Sequence, residues 1–150
     1  MAERFSWVLK DRLAGMERPG LFQNIQKDLS FLKNEGISVI VNLEEYSWEY
    51  PSFEQLHIPV EDFQPPKPED FETCMEFLNQ IIAGGKKAVV HCHAGMGRTN
   101  LMIAAFIVKS ELIKPDLALE RVKNARPAHL VTEKQEESLW NYFYTLESGK

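Results

Sequence analysis

The chain has 150 residues, of which 44% are hydrophobic and 26% are charged, and its formal net charge is −5. This length supplies one continuous core and is too short for two ordinary domains, so we expect a single domain over residues 1–150. The acidic balance argues against nucleic acid and against an anionic membrane as partners, because proteins that bind polyanions usually present a basic surface.

The elements predicted from periodicity alternate between strands and helices along the chain. Two short edge strands are expected at 5–9 and 13–15, followed by a helix at 25–35 and a strand at 37–43. A strand at 56–60, a helix at 68–82 and a strand at 87–92 come next. Three helices at 98–112, 115–124 and 133–146 complete the chain. This order predicts an α/β fold with a central, mostly parallel sheet and helices on both faces.

Two features of the sequence bear on the cellular compartment. No run of about eighteen apolar residues is present, and the first residues do not follow the pattern of a signal peptide. The chain has only two cysteines, Cys74 and Cys92, so a structural disulfide is not expected. Cys74 falls on the apolar face of a predicted helix and is interpreted as a buried small side chain; the alternative is a resolving cysteine that protects Cys92 from oxidation. We expect a soluble, monomeric protein of the cytoplasm, with access to the nucleus if the cell is eukaryotic.

The most informative segment is residues 91–99, which read HCHAGMGRT and join a predicted strand to a predicted helix. A loop that enters a helix N-terminus presents unpaired backbone N–H groups and the positive end of the helix dipole, and such a concavity favours an anion. Gly95 and Gly97 can adopt backbone conformations closed to other residues, which would let the amides of residues 93–98 turn inward together. The predicted phosphate-binding residues are His93, Ala94, Gly95, Met96, Gly97 and Arg98.

Cys92 and Arg98 give this loop its chemistry. The guanidinium of Arg98 presents two parallel N–H bonds that match two phosphate oxygens, which a lysine cannot reproduce. Cys92 lies at the centre of the positive field, where the thiolate is favoured over the thiol. Thr99 is expected to donate a hydrogen bond to the sulfur, and His91 is expected to orient the loop. These residues predict attack of a thiolate on phosphorus, a step that needs a proton donor for the leaving oxygen.

Asp62 is the candidate for that proton donor. It ends a short apolar segment and is followed by a loop that prolines stiffen. A right-handed strand–helix–strand crossover would place the end of this segment and the end of the strand at 87–92 on the same edge of a parallel sheet. Glu61 is the competing carboxylate, and neighbours along a strand point to opposite faces, so only one of the two can face the pocket.

Residues 91–99 resemble the signature of the cysteine-based protein tyrosine phosphatase superfamily, which is histidine, cysteine, five residues, arginine, then serine or threonine. Residues 62–66, with the sequence DFQPP, resemble the general-acid loop of the small atypical dual-specificity phosphatases, including the VHZ-like and archaeal members. The resemblance implies a protein tyrosine phosphatase-like fold and no metal or organic cofactor. It also implies that Cys92 is the nucleophile, Arg98 the phosphate clamp and Asp62, rather than the preceding glutamate, the general acid.

Two positions depart from the pattern of that family. Asn100 stands where most members have glycine, a change that removes no chemical group from the loop. Residues 131–135 keep only Thr132 and Gln135 of a Glu-Thr-x-x-Gln pattern in which the glutamine positions water. The resemblance therefore implies only a supporting role for Gln135.

Other interpretations of the same residues are weaker. A metal site needs ligands that converge from spaced positions, whereas residues 91–93 are consecutive, and His57 and His129 are interpreted as ordinary polar residues. Sulfur transfer and arsenate reduction use related anion-binding loops but do not need Asp62. A phosphate-binding module without turnover would need neither Cys92 nor the acid.

The substrate class is inferred from the loop and from its surroundings. Phosphoinositide-directed family members tend to carry lysines in the loop, whereas the variable positions here are His93, Ala94 and Met96. The acidic charge also disfavours an RNA 5′-triphosphate. Residues 44–51 form an acidic, aromatic segment that is expected at the pocket rim, either facing substrate or as a solvated connection. We expect a phosphorylated protein or peptide, with phosphotyrosine hydrolysed fastest and phosphoserine and phosphothreonine also accepted.

Overall fold

The computed structural model describes residues 2–149, which form five strands and five helices. In chain order these are β1 (Ser6–Leu9), β2 (Leu13–Met16), α1 (Ile25–Asn34), β3 (Ile37–Asn42), β4 (Glu54–His57), α2 (Pro68–Ala83), β5 (Lys87–His91), α3 (Arg98–Glu111), α4 (Pro115–Ala125) and α5 (Glu133–Ser148). Each element overlaps a predicted one, and every bound lies within two residues of the prediction except the end of β4, which lies three residues earlier.

The five strands form one sheet with the order β1-β2-β5-β3-β4. Strands β2, β5, β3 and β4 run parallel, and β1 pairs with β2 in the antiparallel sense. The predicted mostly parallel sheet is therefore confirmed. Of the two strands predicted at the edge, only β1 lies there, because β2 also pairs with β5. The carboxyl ends of β5, β3 and β4 meet at one edge of the sheet, and the loops that follow them gather there.

Side chains alternate along each strand and bury both faces of the sheet. On one face, Val39 and Val41 pack with helices α2 to α5 in the larger core cluster. On the other face, Ile40 packs with Leu29 and Leu32 of α1. Helices thus cover both faces, as predicted. Helix α3 is buried at every position from Arg98 to Val108, so its N-terminus is fixed directly behind the end of β5.

The strand predicted at 56–60 is shifted toward the N-terminus and ends at His57. The chain continues to follow β3 after that point, since the N–H of Ile58 bonds to the carbonyl of Asn42 at 2.9 Å. Beyond Pro59 the N–H of Val60 bonds to the carbonyl of Leu43 at 3.1 Å, whereas the regular parallel register would take it to the carbonyl of Glu44, so the regular ladder does not continue. The extended segment after β4 nevertheless keeps Ile58 and Val60 buried and carries the chain to Asp62 at the carboxyl edge of the sheet.

None of the helices within residues 2–149 is both long enough and apolar enough to cross a membrane.

Candidate active site

The loop between β5 and α3 lines a small cavity at the carboxyl edge of the sheet. The cavity has a volume of about 70 Å³, which is the space of a few water molecules. Its lining brings together Cys92, Asp62, Arg98 and Gln135, which are far apart in the sequence. The remaining lining residues are Phe63, Ala94, Met96, Gly97 and Leu130. Cys92 itself is only 3% exposed, at the end of β5. The cavity is narrow, and its dimensions suit a phosphoryl group rather than a bulky head group.

The carbonyl groups of residues 92–96 all accept hydrogen bonds from outside the loop. Their donors are His91 Nδ1 to Cys92, Arg18 N to His93, Arg4 Nη1 to Ala94, Arg126 Nη1 to Gly95 and Leu130 N to Met96, at 3.1, 3.0, 3.1, 2.6 and 2.9 Å. The described residues contain no cis peptide bond, and in a trans peptide the N–H points opposite to the C=O. The N–H groups of residues 93–97 therefore face the interior of the loop, and none of them has an acceptor within residues 2–149. This arrangement is a cup of donors for an anion.

The two glycines of the loop are needed for different reasons. Gly95 has φ +76°, and a Cβ there would lie 2.5 Å from the carbonyl oxygen of Met16. Gly97 has φ −108°, which other residues adopt, so the predicted need for an unusual backbone conformation is wrong at this position. Space is the constraint instead, because a Cβ on Gly97 would lie 2.8 Å from the carbonyl oxygen of Leu130.

Arg98 is buried and anchored through one of its terminal nitrogens. Its Nη1 donates to the carbonyl of Val60 and to Oε1 of Glu45, both at 2.7 Å. Its Nη2 lies 3.4 Å from Oδ1 of Asp62. The Nε is buried and has no hydrogen-bond partner among residues 2–149. The Nε–Nη2 edge, whose two N–H bonds are parallel, is thus the edge that remains for two oxygens of a bound phosphate.

Glu45 is a functional-site residue that the sequence did not single out. It belongs to the acidic segment expected at the rim, but nothing in its sequence context distinguishes it from its neighbours. A hydrogen bond from its own backbone and the contact with Arg98 hold the pKa of Glu45 below its usual range. The carboxylate is therefore ionised at neutral pH and fixes the orientation of Arg98.

Asp62 lies at the mouth of the cavity, and its side chain is 52% exposed. Glu61, the competing carboxylate, is not part of the cavity lining. The loop that carries Asp62 is tied to the start of α5, because Thr132 Oγ1 donates to the carbonyl of Phe63 at 3.2 Å and Gln135 Nε2 donates to the carbonyl of Gln64 at 3.2 Å. Asp62 is thereby held over the cup.

Gln135 is a latch for this loop in the structure rather than a free group facing water. Its Oε1 accepts from the N–H of Thr132 at 2.9 Å while its Nε2 bonds to Gln64. The side chain is 1% exposed. Both ends of the amide are occupied, so the described conformation does not leave it free to orient water.

His91 supports the loop from below as a neutral side chain. Its Nδ1 donates to the carbonyl of Cys92 at 3.1 Å, and its Nε2 accepts from the hydroxyl of Tyr50 at 2.9 Å. Burial lowers the pKa of His91 to about 4. Thr99 behaves differently from the expectation, since its hydroxyl is buried without a partner among residues 2–149 and makes no hydrogen bond to Cys92.

The acidic segment packs against the outer side of the cup through Arg18. Two nitrogens of the Arg18 guanidinium donate to the Glu44 carboxylate, and the group also contacts Nδ1 of His93 at 2.9 Å. It lies 4.7 Å from the ring centre of Trp48. Burial alone would raise the pKa of Glu44, but the bonds and charge of Arg18 outweigh it and hold this pKa below its usual range. The segment therefore packs against the outside of the loop, none of its residues lines the cavity, and Tyr46 is 72% exposed.

The remaining histidines have ordinary polar partners. His57 Nε2 donates to the carbonyl of Glu44 at 2.7 Å, and His129 Nδ1 lies 2.9 Å from the amide nitrogen of Asn100. No group of three or more potential metal-ligating side chains occurs in the part of the chain that the structure describes.

The chain is similar in sequence to known phosphatases. Residues 14–111 match the family model described as "Polymorphic toxin system, DSP-PTPase phosphatase". Dual specificity protein phosphatase 12 of Rattus norvegicus is 26% identical over 129 residues, covering 77% of this chain and 37% of the relative. Phosphatidylglycerophosphate phosphatase PTPMT2 of Arabidopsis thaliana is 29% identical over 119 residues, covering 73% of this chain and 52% of the relative. The chain thus spans about a third to a half of the length of these curated relatives.

The fold is also that of solved phosphatase structures. The crystal structure of human DUSP28 superposes with a TM-score of 0.84 at 17% identity, covering 98% of this chain and 97% of that one.

Proposed function

The chain belongs to the DSP-PTPase family of cysteine-based phosphatases, and on this premise we propose that it hydrolyses phosphotyrosine, and also phosphoserine and phosphothreonine, in proteins through a cysteinyl-phosphate intermediate. The observation that carries the proposal is the Nε–Nη2 edge of Arg98, whose Nε has no partner among residues 2–149, beside a cup of inward N–H groups, with Cys92 and Asp62 lining the same cavity. Such a site binds a tetrahedral anion at the position where a thiolate can attack its phosphorus.

The reaction takes two steps, each with a defined path for the proton. In the first, the Cys92 sulfur bonds to phosphorus, the bond to the leaving oxygen breaks, and Asp62 gives that oxygen its proton. In the second, water attacks phosphorus, its proton passes to Asp62, and the sulfur–phosphorus bond breaks to release inorganic phosphate and the thiolate. Arg98 and the loop amides bind the phosphoryl oxygens throughout. No metal and no organic cofactor takes part in these steps.

Substitutions at three positions test the assignment of roles. Cys92→Ser removes the nucleophile and should abolish turnover of p-nitrophenyl phosphate while phosphate binding persists. Asp62→Ala should lower kcat about 10²- to 10⁴-fold, because general acid catalysis contributes an effect of that size. Glu61→Ala is the matched control and should leave kcat near that of the wild type. A loss of activity in Glu61→Ala with an active Asp62→Ala variant would mean that the other carboxylate is the acid.

A phospholipid head group is the second candidate substrate. The mouth of the cavity has two exposed apolar side chains, Phe63 at 54% and Leu130 at 53% exposure, which could contact acyl chains or an aromatic ring. One relative is named as a phosphatidylglycerophosphate phosphatase. The net charge of −5 counts against an anionic membrane surface, and it favours the phosphoprotein.

One comparison separates the substrate classes. The wild-type chain would be given phosphotyrosyl and phosphoseryl peptides, a phosphoinositide, phosphatidylglycerophosphate and a triphosphorylated RNA at equal concentration. We expect the highest kcat/KM on the phosphotyrosyl peptide. Faster turnover of a lipid or of RNA would replace the proposed substrate, and binding without turnover of any of them would make the chain a phosphate-binding module.

We also propose a cytoplasmic location. Both cysteines are free thiols, as in proteins of reducing compartments.

A further inference from the structure

Two arginines outside the predicted site hold the central peptides of the phosphate cup. Arg4 Nη1 donates to the carbonyl of Ala94 at 3.1 Å, and Arg126 Nη1 donates to the carbonyl of Gly95 at 2.6 Å. The same two peptide units carry the N–H groups of Gly95 and Met96. Because each N–H points away from its own carbonyl, these two contacts fix two of the inward donors.

Arg126 is unusual for a buried cation. It is 1% exposed and has no ion-pair partner among residues 2–149. Its remaining contacts are with neutral oxygens, the carbonyl of Arg4 at 2.8 Å and the side-chain oxygen of Asn100. Its Nε is buried without a partner in the same part of the chain. Burial of an unpaired charge is costly, so a role that offsets the cost is expected.

The electrostatics indicate what offsets that cost. Burial lowers the pKa of Arg126 to about 10, so the guanidinium stays charged at neutral pH, and the thiolate form of Cys92 and the carboxylate of Glu17 both favour that charge. A cation lies behind the cup, on the side away from the substrate.

A glycine in β2 leaves room for the Arg126 side chain. A Cβ on Gly15 of β2 would lie 2.8 Å from the Nε of Arg126 and 2.9 Å from its central carbon. Arg126 follows α4 and reaches the cup by crossing β2 at a residue without a side chain. A side chain at residue 15 would therefore displace the Arg126 guanidinium.

The N-terminal segment completes the arrangement. The N–H groups of Glu3 and Arg4 donate to the buried carboxylate of Glu17 at 3.2 and 3.0 Å. This contact fixes Arg4 where its carbonyl accepts from Arg126 and its guanidinium reaches Ala94. Residues 3–4, about ninety positions before the cup in sequence, are thereby part of its support.

We propose that Arg126, with Arg4 as its partner, is a positioning residue for phosphoryl transfer: it holds the Ala94 and Gly95 carbonyls outside the cup and so directs the Gly95 and Met96 N–H groups at the phosphoryl oxygens. This role rests on the proposed function for its effect on turnover, and on the cup alone for its effect on anion binding.

The test compares Arg126→Met, Arg126→Lys, Arg4→Met and Arg12→Met. Arg12 is an exposed arginine whose side chain makes no hydrogen bond or ion pair in the described residues, and it controls for the loss of a positive charge. Four quantities are measured: kcat and KM on p-nitrophenyl phosphate, the rate of iodoacetamide alkylation of Cys92, and the concentration of inorganic phosphate that halves this rate. Cys74 does not interfere, because burial raises the pKa of its thiol to about 12.

We expect Arg126→Met to lower kcat about 10- to 100-fold, somewhat less than the loss of a whole oxyanion-hole donor, with a smaller change in KM. Protection of Cys92 from alkylation should need about tenfold more phosphate. Arg126→Lys should recover only part of kcat and of the protection, since the positive charge survives and the planar fork does not. Arg4→Met should lose a few-fold in kcat.

A folded Arg126→Met protein that matches Arg12→Met in kcat, in the rate of Cys92 alkylation and in phosphate protection would overturn the proposal. If Arg126→Met does not fold, Arg4→Met decides, and unchanged phosphate protection in that variant overturns it. Alkylation and protection need no turnover. A wild-type chain that hydrolyses no phosphopeptide, while Arg126→Met loses phosphate protection, would therefore refute the proposed function and support the positioning role.

Discussion

The sharpest structural prediction concerns an added methyl group at Gly95. The residue has φ +76°, and its Cβ would lie 2.5 Å from the carbonyl oxygen and 2.7 Å from the next backbone nitrogen of the Met16–Glu17 peptide. These neighbours are backbone atoms between β2 and the next turn, so they cannot rotate away as a flexible side chain would. Gly95→Ala must therefore displace the phosphate loop, the end of β2, or both.

Gly85 supplies a matched control for the size of this effect. It has φ +83°, and a Cβ there would have no neighbour within 4 Å. Gly85→Ala should cost only the strain of alanine in the left-handed region, about 1–2 kcal/mol in the free energy of unfolding. Gly95→Ala should cost that amount and the steric displacement, for a total of about 2–5 kcal/mol. Most domains remain folded after a loss of this size.

Activity should fall far more than stability in Gly95→Ala. A shift of the Gly95 peptide removes at least one inward N–H from the cup, and loss of one such donor costs about 10²- to 10³-fold in kcat. Urea denaturation gives the two free energies of unfolding, and p-nitrophenyl phosphate gives kcat for both variants. Equal unfolding free energies for Gly95→Ala and Gly85→Ala, together with wild-type kcat in both, would refute the steric reasoning and the importance of the cup.

Two further predictions follow from groups that support the site. Glu45→Gln keeps the shape of the side chain that anchors Arg98 but removes its negative charge. In steady-state kinetics on p-nitrophenyl phosphate, we expect kcat to fall about 10-fold and KM to change by less. An unchanged kcat would show that Val60 alone holds the guanidinium. Burial lowers the pKa of His91 from 6.5 to about 4. Between these two pH values the unfolded chain takes up a proton that the folded chain excludes. Up to about 3 kcal/mol of the free energy of unfolding present above pH 6.5 should therefore be lost as the pH falls toward 4. Denaturation of wild type and His91→Asn across this range isolates the effect, which is absent if both variants lose stability equally.

The parts of the fold that were predictable from sequence are those that local patterns determine. The consecutive apolar residues Val39, Ile40 and Val41 indicate a strand buried on both faces, and the proline at the start of α4 marks the first turn of that helix. The segment after β4 is the counterexample. Apolar alternation continues to the buried Val60, but the hydrogen-bond register slips by one residue after Ile58, so a pattern based on burial alone overstated the strand.

The residues of the site also differ in whether a local sequence motif or only the folded structure identifies them. Residues that line the cup lie within one segment, and the spacing of Cys92 and Arg98 was enough to identify them. Glu45 could not be found, because it lies in an exposed connection and acts only through a contact with Arg98 that the fold creates. Thr99 is the converse case. Its position in the motif predicted a hydrogen bond to the Cys92 sulfur, and its hydroxyl makes no such bond in the structure.

A phosphate cup differs from an ordinary glycine turn in how its carbonyl groups are hydrogen-bonded. Inward N–H groups require outward carbonyls, and each outward carbonyl at this depth needs a donor of its own, because an unpaired buried polar group is costly. Here the donors come from the N-terminal segment, the turn after β2, the end of β5 and the segment between α4 and α5. A motif of nine residues can appear in any chain, but these donors require the whole fold. The ability to bind an anion therefore depends as much on Arg4, Arg126 and the N–H of Leu130 as on the residues of the motif.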